Sequence, residues 1–332
     1  MVAEWIAMIL AIAAGLVVPW AAMRALVPTL ESSDRFAVTN FRGRRVVPGL
    51  GLVWVVWAVS IVVAGTALQT LSELSWASWV QQPSSIWLDP GVMPLVLVLG
   101  AFALGIADDA FGDGVDKGFR GHLKALASGR LSTGGMKLVG IGLLSLATAA
   151  SMGAGVSAGP ALGIATALVL GTLAIALSAN LVNLADLRPG RALKVHSALT
   201  TGLLAWWAVA FLVTGGPWTE VVAAFAVLLG PVVAVWRFDL GERAMLGDAG
   251  ANAAGALVGW LACVVLGTSW PLGVYVGALL VLNLASEKIS FSRVIEGNAV
   301  LSWLDGLGRL PDEPPGPGSA EKSSPPMGPT EK

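Results

Sequence analysis

The sequence predicts an all-α fold, a polytopic membrane helix bundle of about nine to ten transmembrane helices. Hydrophobic residues make up 55% of the 332 residues and charged residues only 12%, whereas soluble domains carry roughly 25% charged residues. The mean hydropathy is +0.76. Apolar stretches of roughly 17 to 25 residues are long enough to cross a bilayer as helices. We identify nine, at residues 3–27, 49–69, 91–107, 136–154, 160–185, 197–214, 218–236, 249–267 and 270–285.

The basic residues predict the orientation of the bundle. All 20 Lys and Arg residues group at the connections after the first, third, fifth and seventh stretches and in the segment after the ninth, with Arg24 and Lys137 just inside the adjoining stretches. The groups hold five, five, three, two and five residues. Because cytoplasmic loops are enriched in Lys and Arg, we expect the N-terminus outside and the C-terminus in the cytoplasm. Trp76, Trp79 and Trp87 are expected in an aromatic belt at the outer membrane surface.

The chain divides into a membrane domain, residues 1–310, and a C-terminal tail, residues 311–332. The first stretch contains Glu4, has no basic start and is too long for a signal-peptide core, so we expect it to be retained. The tail reads PDEPPGPGSAEKSSPPMGPTEK. It is rich in proline and lacks apolar residues to bury, which predicts a disordered cytoplasmic segment.

The first polar cluster is the pair Asp108 and Asp109, at the cytoplasmic end of the third stretch. A helix C-terminus already carries partial negative charge, so two carboxylates there repel each other and the helix dipole. One interpretation is that a cation lies beside them, and Mg²⁺ fits because it prefers carboxylate and phosphate oxygens. The alternative is a solvated start of a loop.

The second cluster, SANLVNLADLRPGRALKVH, closes the fifth stretch. It combines three polar residues at a spacing of three with three basic residues: Asn180, Asn183, Asp186, Arg188, Arg191 and Lys194. The polar residues share one broad helix face, and Pro189 and Gly190 then end the helix. Such a set could hold a metal beside an anionic phosphate. The alternative is polar helix packing with ordinary flanking charge.

The third cluster surrounds Asp248 at the start of the eighth stretch, between Gly247 and Gly250. Glycine-rich turns at helix N-termini bind anions, and Asn252 adds a polar group one turn later. An Asp here also fits a simple N-cap. In the segment DKGFRGHLKALASGR, Lys117 and Lys124 alternate with apolar residues. This pattern favours an amphipathic helix on anionic lipid, with a phosphate contact from one or two of its basic residues as the other interpretation.

These residues together resemble the polyprenyl-phosphate N-acetylhexosamine-1-phosphate transferases, the family that includes the bacterial translocase at the start of the lipid stage of peptidoglycan synthesis. Three motifs carry the resemblance in order: the Asp pair in GIADDAFG, the Asn-x-x-Asn-x-x-Asp in NLVNLAD, and the Gly-Asp-x-Gly in MLGDAGAN. The match spans roughly residues 40–285.

The resemblance implies a Mg²⁺-dependent enzyme of the bacterial plasma membrane with its active site on the cytoplasmic side. Polyprenyl phosphate would attack a UDP-sugar and release UMP, in cell-envelope glycan synthesis. Asp108, Asp109 and Asp248 would be the catalytic residues, with Asp108, Asp186 and Asp248 near the metal. Nine polar and basic residues would bind substrate: Asn180, Asn183, Asp186, Arg188, Arg191, Lys194, Lys117, Lys124 and Asn252. No nucleic-acid partner is expected, and the oligomeric state, monomer or homodimer, stays open.

Two departures from the family pattern leave an alternative open. Asp186 is followed by Leu187, Arg188 and Pro189 instead of a second acidic position. The histidine-rich loop common in bacterial members is absent, and the corresponding region reads ASEKISFSRVIEGN. We therefore expect Arg188, Arg191 and Lys194 to supply diphosphate contacts. The alternative is a non-catalytic relative that acts as a membrane scaffold or lipid-binding protein. A transporter is disfavoured because the acids lie at one membrane face rather than at the midplane.

Overall fold

A computed structural model of the chain describes residues 2–33, 37–73, 87–111, 128, 132–153, 161–268 and 270–311. The described α-helices are α1 Val2–Ile12, α2 Val18–Glu31, α3 Val53–Glu73, α4 Val92–Phe111, α5 Thr133–Gly153, α6 Ala161–Ala185, α7 Arg191–Val213, α8 Trp218–Leu240, α9 Gly247–Leu266, α10 Trp270–Ser286, α11 Phe291–Glu296 and α12 Ala299–Gly306. A π-helical turn, Ala13–Val17, joins α1 and α2 into one continuous segment. A 3₁₀ turn, Leu50–Leu52, leads into α3.

The predicted all-α membrane bundle is confirmed. Eight helical segments in the described ranges, the joined α1–α2 and then α3 to α9, are long and apolar enough to cross a membrane. Helix α10 is equally apolar but has 17 residues, the lower end of the length that spans a bilayer. Each predicted stretch corresponds to one of these segments. The orientation of the termini stays a prediction, and the predicted tail after residue 311 lies outside the described residues.

Helix α9 is the centre of the bundle and is buried along almost its whole length. Small residues let its backbone approach its neighbours. A Cβ at Gly259 would lie 2.4 Å from the Cα of Ile175 on α6, and a Cβ at Gly255 would lie 2.4 Å from the carbonyl oxygen of Ser178. On the opposite side of α9, a Cβ at Gly105 of α4 would lie 2.3 Å from the Cα of Ala249. Close backbone approach at small residues is the usual way in which membrane helices associate.

A proline in α8 explains one polar contact in the apolar core. Pro231 has no N–H, so the carbonyl of Val227, four residues earlier, lacks its helical donor. The indole Nε1 of Trp57 donates to that carbonyl at 2.8 Å. His196 of α7 is fully buried nearby, and its two ring nitrogens lie 3.2 Å from the carbonyls of Leu228 and Ala254. These contacts tie α3, α7, α8 and α9 together.

A small sheet covers the end of the bundle at which α2 ends and α9 begins. Strand β1, Val38–Thr39, pairs antiparallel with β2, Arg45–Pro48, and β2 pairs parallel with β3, Ala244–Met245. The β1–β2 hairpin thus lies against the connection between α8 and α9. Its contact positions the start of α9, which carries the site described below.

The aromatic-belt prediction is wrong for Trp87. Its side chain is 1% exposed and packs edge-to-face against Trp207 and Trp260, with ring centroids 5.1 and 6.5 Å apart. The segment that holds it folds onto the bundle, so the indole joins the core instead of the membrane surface. Trp76 and Trp79 lie outside the described residues.

Candidate functional site

Carboxylates from several helix ends meet at one end of the bundle. Asp108 and Asp109 lie in the last turn of α4, Asp186 directly follows α6, Asp239 lies in the last turn of α8, and Asp248 lies in the first turn of α9. Helices that alternate in direction place the C-terminal ends of α4, α6 and α8 on the same side as the N-terminal end of α9. Four of these residues were predicted as site residues, and the structure brings them together. We call the five residues the carboxylate cluster.

Lys137 contacts two carboxylates of the cluster at once. It lies in the second turn of α5, and its Nζ is 2.6 Å from Asp108 Oδ2 and in direct contact with Asp248 Oδ2. The Thr133 hydroxyl also hydrogen-bonds Asp108. Three helices are thus joined by one ammonium group. Sequence reasoning counted Lys137 only as a flanking basic residue and did not predict this role.

Asp109 caps the helix that carries Asp248. Its Oδ1 accepts the backbone N–H of Asp248, and its Oδ2 accepts that of Ala249, both at 3.1 Å. The first N–H groups of a helix have no partner within the helix, and a carboxylate there also complements the helix dipole. From the sequence alone, Asp248 was considered as the N-cap of α9. In the structure, Asp109 of the neighbouring helix α4 takes that role. The Asp248 side chain is left to bind Lys137.

Asp186 and Asp239 lie on the other side of the same helix start. The N–H of Gly247 donates to the Asp186 carboxyl, and the N–H of Gly190 donates to Asp239 Oδ2 at 2.7 Å. Burial raises the pKa of Asp186 well above its ordinary value, and the neighbouring carboxylates of Asp239 and Asp248 raise it further. Asp239 was not predicted as a site residue.

The predicted amides have different surroundings. Asn180 is turned away from the cluster, because its Nδ2 donates to Asn283 of α10 at 2.6 Å, which is the polar helix packing considered above. Asn252 is buried, and its Nδ2 donates to the carbonyl of Asp248 at 2.7 Å, so it supports the first turn of α9. The Oδ1 of Asn183 is buried and has no hydrogen-bond partner among the described residues.

The predicted diphosphate-binding residues hold the C-terminal segment. Arg191 binds Asp305 of α12 with two hydrogen bonds, 2.8 and 2.9 Å long. Lys194 donates to the backbone carbonyl of Asp305 at 2.5 Å. The Arg188 Nη2 lies 3.3 Å from Glu296 Oε1. The Cζ of the same guanidinium lies 4.1 Å from the centroid of the Phe41 ring. These side chains therefore already have protein partners. Lys117 and Lys124 lie outside the described residues.

A cavity of about 270 Å³ opens beside Asp186. It lies between the β1–β2 hairpin and the two connections that follow α6 and α8, and its lining includes Phe41, Arg188, Asp239 and Glu242. Its volume is slightly below the roughly 300 to 1,000 Å³ of typical small-molecule pockets. Glu242 is buried. Its Oε1 lies 3.1 Å from Arg42 Nη1, and its Oε2 accepts a hydrogen bond from Asn40 Nδ2 at 2.9 Å.

The side chains of the carboxylate cluster determine whether it could hold Mg²⁺. Within the described ranges, no three His, Cys, Asp or Glu side chains are arranged to hold a metal ion. Mg²⁺, however, is usually bound through one or two carboxylates together with substrate phosphates. Asp108 and Asp248 are two such carboxylates, and the Oδ2 atom of each contacts the Lys137 Nζ. These two side chains could hold such an ion only together with a phosphate ligand.

Comparisons with known proteins do not add a family assignment. No protein-family model matches the chain, and no curated protein matches it.

Proposed function

We propose that this protein is a Mg²⁺-dependent phosphoglycosyl transferase that moves a sugar 1-phosphate from a UDP-sugar to polyprenyl phosphate. One observation carries the proposal: the Asp pair, the Asn-x-x-Asn-x-x-Asp motif and the Gly-Asp-x-Gly motif supply carboxylates to one cluster. Residues as far apart as 109 and 248 are in direct contact there. Five carboxyl groups lie close together with one ammonium, that of Lys137, in contact, and the repulsion between like charges opposes folding. A role in binding phosphates and a cation explains them.

The proposed reaction is a phosphoryl transfer. An oxygen of the polyprenyl phosphate attacks the sugar-linked phosphorus of the UDP-sugar and forms a new P–O bond. The bond to the bridging oxygen breaks, and UMP leaves with its electron pair. A prenyl phosphate is already ionised at neutral pH, so the reaction needs little proton removal. Its main requirement is positioning and charge neutralisation.

Lys137 and the carboxylates nearest to it have proposed tasks. Lys137 is placed to bind a phosphate oxygen, with Asp108 and Asp248 fixing its ammonium group. Asp109 holds the start of α9 in position through two N–H groups. Asp108 and Asp248 would also hold Mg²⁺, which neutralises and polarises phosphate oxygens when bound. Asp186 lies between this group and the cavity, where we place the nucleotide-sugar.

A lipid acceptor is supported by the surroundings of the cluster. Ile106, two residues before Asp108, and Leu138, next to Lys137, are exposed apolar residues on the membrane-crossing helices α4 and α5. The charged end of the bundle therefore borders the surface that faces lipid. A phosphate on a long prenyl chain could reach Lys137 from this side while its chain stays in the membrane. With the predicted orientation, the site faces the cytoplasm of a bacterial cell.

A second candidate function is supported by a different observation. Lys137 already contacts Asp108 and Asp248, and Arg191 and Lys194 already bind Asp305. These side chains therefore have partners without substrate or metal, which suits a non-catalytic membrane scaffold or lipid-binding protein. The two candidates differ in one property, since only the enzyme releases UMP.

The experiment that separates them uses the purified full-length protein in detergent. Several UDP-sugars are offered in turn with undecaprenyl or decaprenyl phosphate and Mg²⁺, and UMP is measured. The enzyme proposal expects UMP from at least one UDP-sugar, only with the lipid acceptor present, and none after chelation of Mg²⁺. Absence of UMP with every donor, from protein that is folded by its melting curve, would instead support the scaffold candidate.

A further inference from the structure

The two short C-terminal helices expose most of their apolar side chains. In α12, Val300 is 65% exposed and Trp303 64%. Leu301, Leu304 and Leu307 are exposed as well. Contiguous apolar surface of this kind is rare on protein that faces water and marks a contact with a membrane or another molecule.

Helix α12 turns its charge inward and its apolar side outward. Its acidic residue, Asp305, receives two hydrogen bonds from Arg191, one from Arg309 at 2.8 Å, and holds Lys194 through its backbone carbonyl. Arg191 is buried. A helix packed on a protein in water shows the opposite arrangement, apolar inside and polar outside. The arrangement found here is the one expected for a helix covered by lipid.

The position of α12, level with the end of a membrane-crossing helix, also favours contact with lipid. Arg191 and Lys194 lie in the first turn of α7, a membrane-crossing helix, so α12 is fixed at the level where that helix leaves the membrane. The exposed apolar side of α10, including Val281, leads towards α11 after a link of four residues. The short link keeps α11 near the end of the last long helix. Tryptophan is enriched at this depth.

We propose that α12 lies flat in the membrane interface, on the same side as the carboxylate cluster, with Val300, Trp303 and Leu307 in lipid and Asp305 bound to α7. The occupant of this face is the bilayer itself. A second copy of the chain is a weaker fit, because an eight-residue helix is about 12 Å long and stable interfaces bury roughly 800 Å² per partner. The helix thereby fixes Arg191 and Lys194 at the membrane surface.

The test uses nitroxide labels on the full-length protein in phosphatidylcholine nanodiscs. The single cysteine, Cys263, is first changed to alanine so that each variant carries one label. Val300→Cys and Trp303→Cys probe the outward side of α12. Val281→Cys on α10 is the lipid reference, and Arg45→Cys, exposed on the β1–β2 hairpin, is the water reference. The measurement is relaxation of the nitroxide by oxygen, which concentrates in lipid, and by a nickel chelate, which stays in water.

The proposal expects labels at 300 and 303 to resemble the one at 281, with oxygen relaxing them more strongly than the nickel chelate. Relaxation by the chelate equal to that at residue 45 would place the helix in water and overturn the proposal. Protection from both reagents, with label–label broadening that disappears on dilution with unlabelled protein, would show a second copy on this face and would also overturn it.

Discussion

Asp109 caps the helix that carries Asp248: its two carboxylate oxygens accept the backbone N–H groups of Asp248 and Ala249, each at 3.1 Å. The two acids of the Asp pair therefore differ in their surroundings. Asp109 is bound to backbone and fixes where α9 begins, whereas Asp108 is bound to Lys137. This separation suggests different consequences for substitutions at neighbouring positions.

Replacement of Asp109 should mainly destabilise the fold. Asp109→Ala leaves two N–H groups at the start of α9 without their acceptor, and loss of a helix cap costs about 1 kcal/mol. Asp109→Asn keeps one carbonyl oxygen and should lose less. Thermal unfolding in detergent measures both. Equal melting temperatures for wild type and Asp109→Ala would contradict the capping role.

Lys137 and Asp248 should be energetically coupled. Lys137→Met leaves two acids without their ammonium partner, and loss of hydrogen bonds to a charged group costs about 2 kcal/mol. In a background of Asp248→Asn, the same substitution removes fewer interactions and should cost less. A double-mutant cycle on unfolding free energy should give a coupling of about 1 kcal/mol. Additive effects would show that the contact is not formed in solution.

Close packing at Gly259 should be sensitive to side-chain size. Gly259→Val places a branched side chain where even a Cβ would lie 2.4 Å from the Cα of Ile175. Overpacking of this kind costs about 1 to 3 kcal/mol. The matched control is Gly277→Val on α10, where nothing lies within 4 Å of the added Cβ. The variant at 259 should lower the melting temperature clearly more than the control, and equal effects would argue against the position of α9.

The ion pair of Asp305 should make stability depend on pH. Burial alone would raise the pKa of Asp305, but Arg191, Arg309 and Lys194 hold it below its ordinary value. A carboxyl with a lowered pKa stabilises the fold above its unfolded pKa of about 3.9, and this contribution is lost as the pH falls through the folded pKa. Asp305→Asn should therefore melt earlier than wild type at neutral pH, with the difference shrinking below about pH 4. A difference that persists in acid would rule out the ionic explanation.

The sequence predicted the parts of this structure that depend on hydrophobicity and chain direction. Apolar stretches predicted the helices, and the placement of Asp108, Asp186 and Asp248 at alternating helix ends predicted that they would meet. Lys137 was missed because a basic residue at the start of an apolar stretch has an ordinary explanation as a cytoplasmic flanking charge. That it lies inside the stretch 136–154, where charge is costly, was the available signal.

Contacts between distant parts of the chain were not predictable in the same way. Arg191 and Asp305 are 114 residues apart, and no local pattern indicates that they pair. For the same reason, spacing suggested that Asn180 shares a face with Asn183 and Asp186, but could not show that α10 would present Asn283 to it. Asp239 follows an apolar stretch, and an acidic residue at that position is common in an ordinary loop. Its proximity to Asp186 depends on how α6 and α8 pack.

The most direct test of the proposed enzyme compares UMP release by wild type, Asp248→Asn and Glu31→Gln, with polyprenyl phosphate, Mg²⁺ and an active UDP-sugar. Glu31 pairs with Arg243 near β3, so Glu31→Gln also removes a carboxylate from an ion pair, but outside the carboxylate cluster. We expect wild-type rates from Glu31→Gln and a loss of about 100-fold or more from Asp248→Asn, with both variants still folded at the assay temperature. Wild-type UMP release by folded Asp248→Asn would contradict the assignment of the carboxylate cluster as the active site.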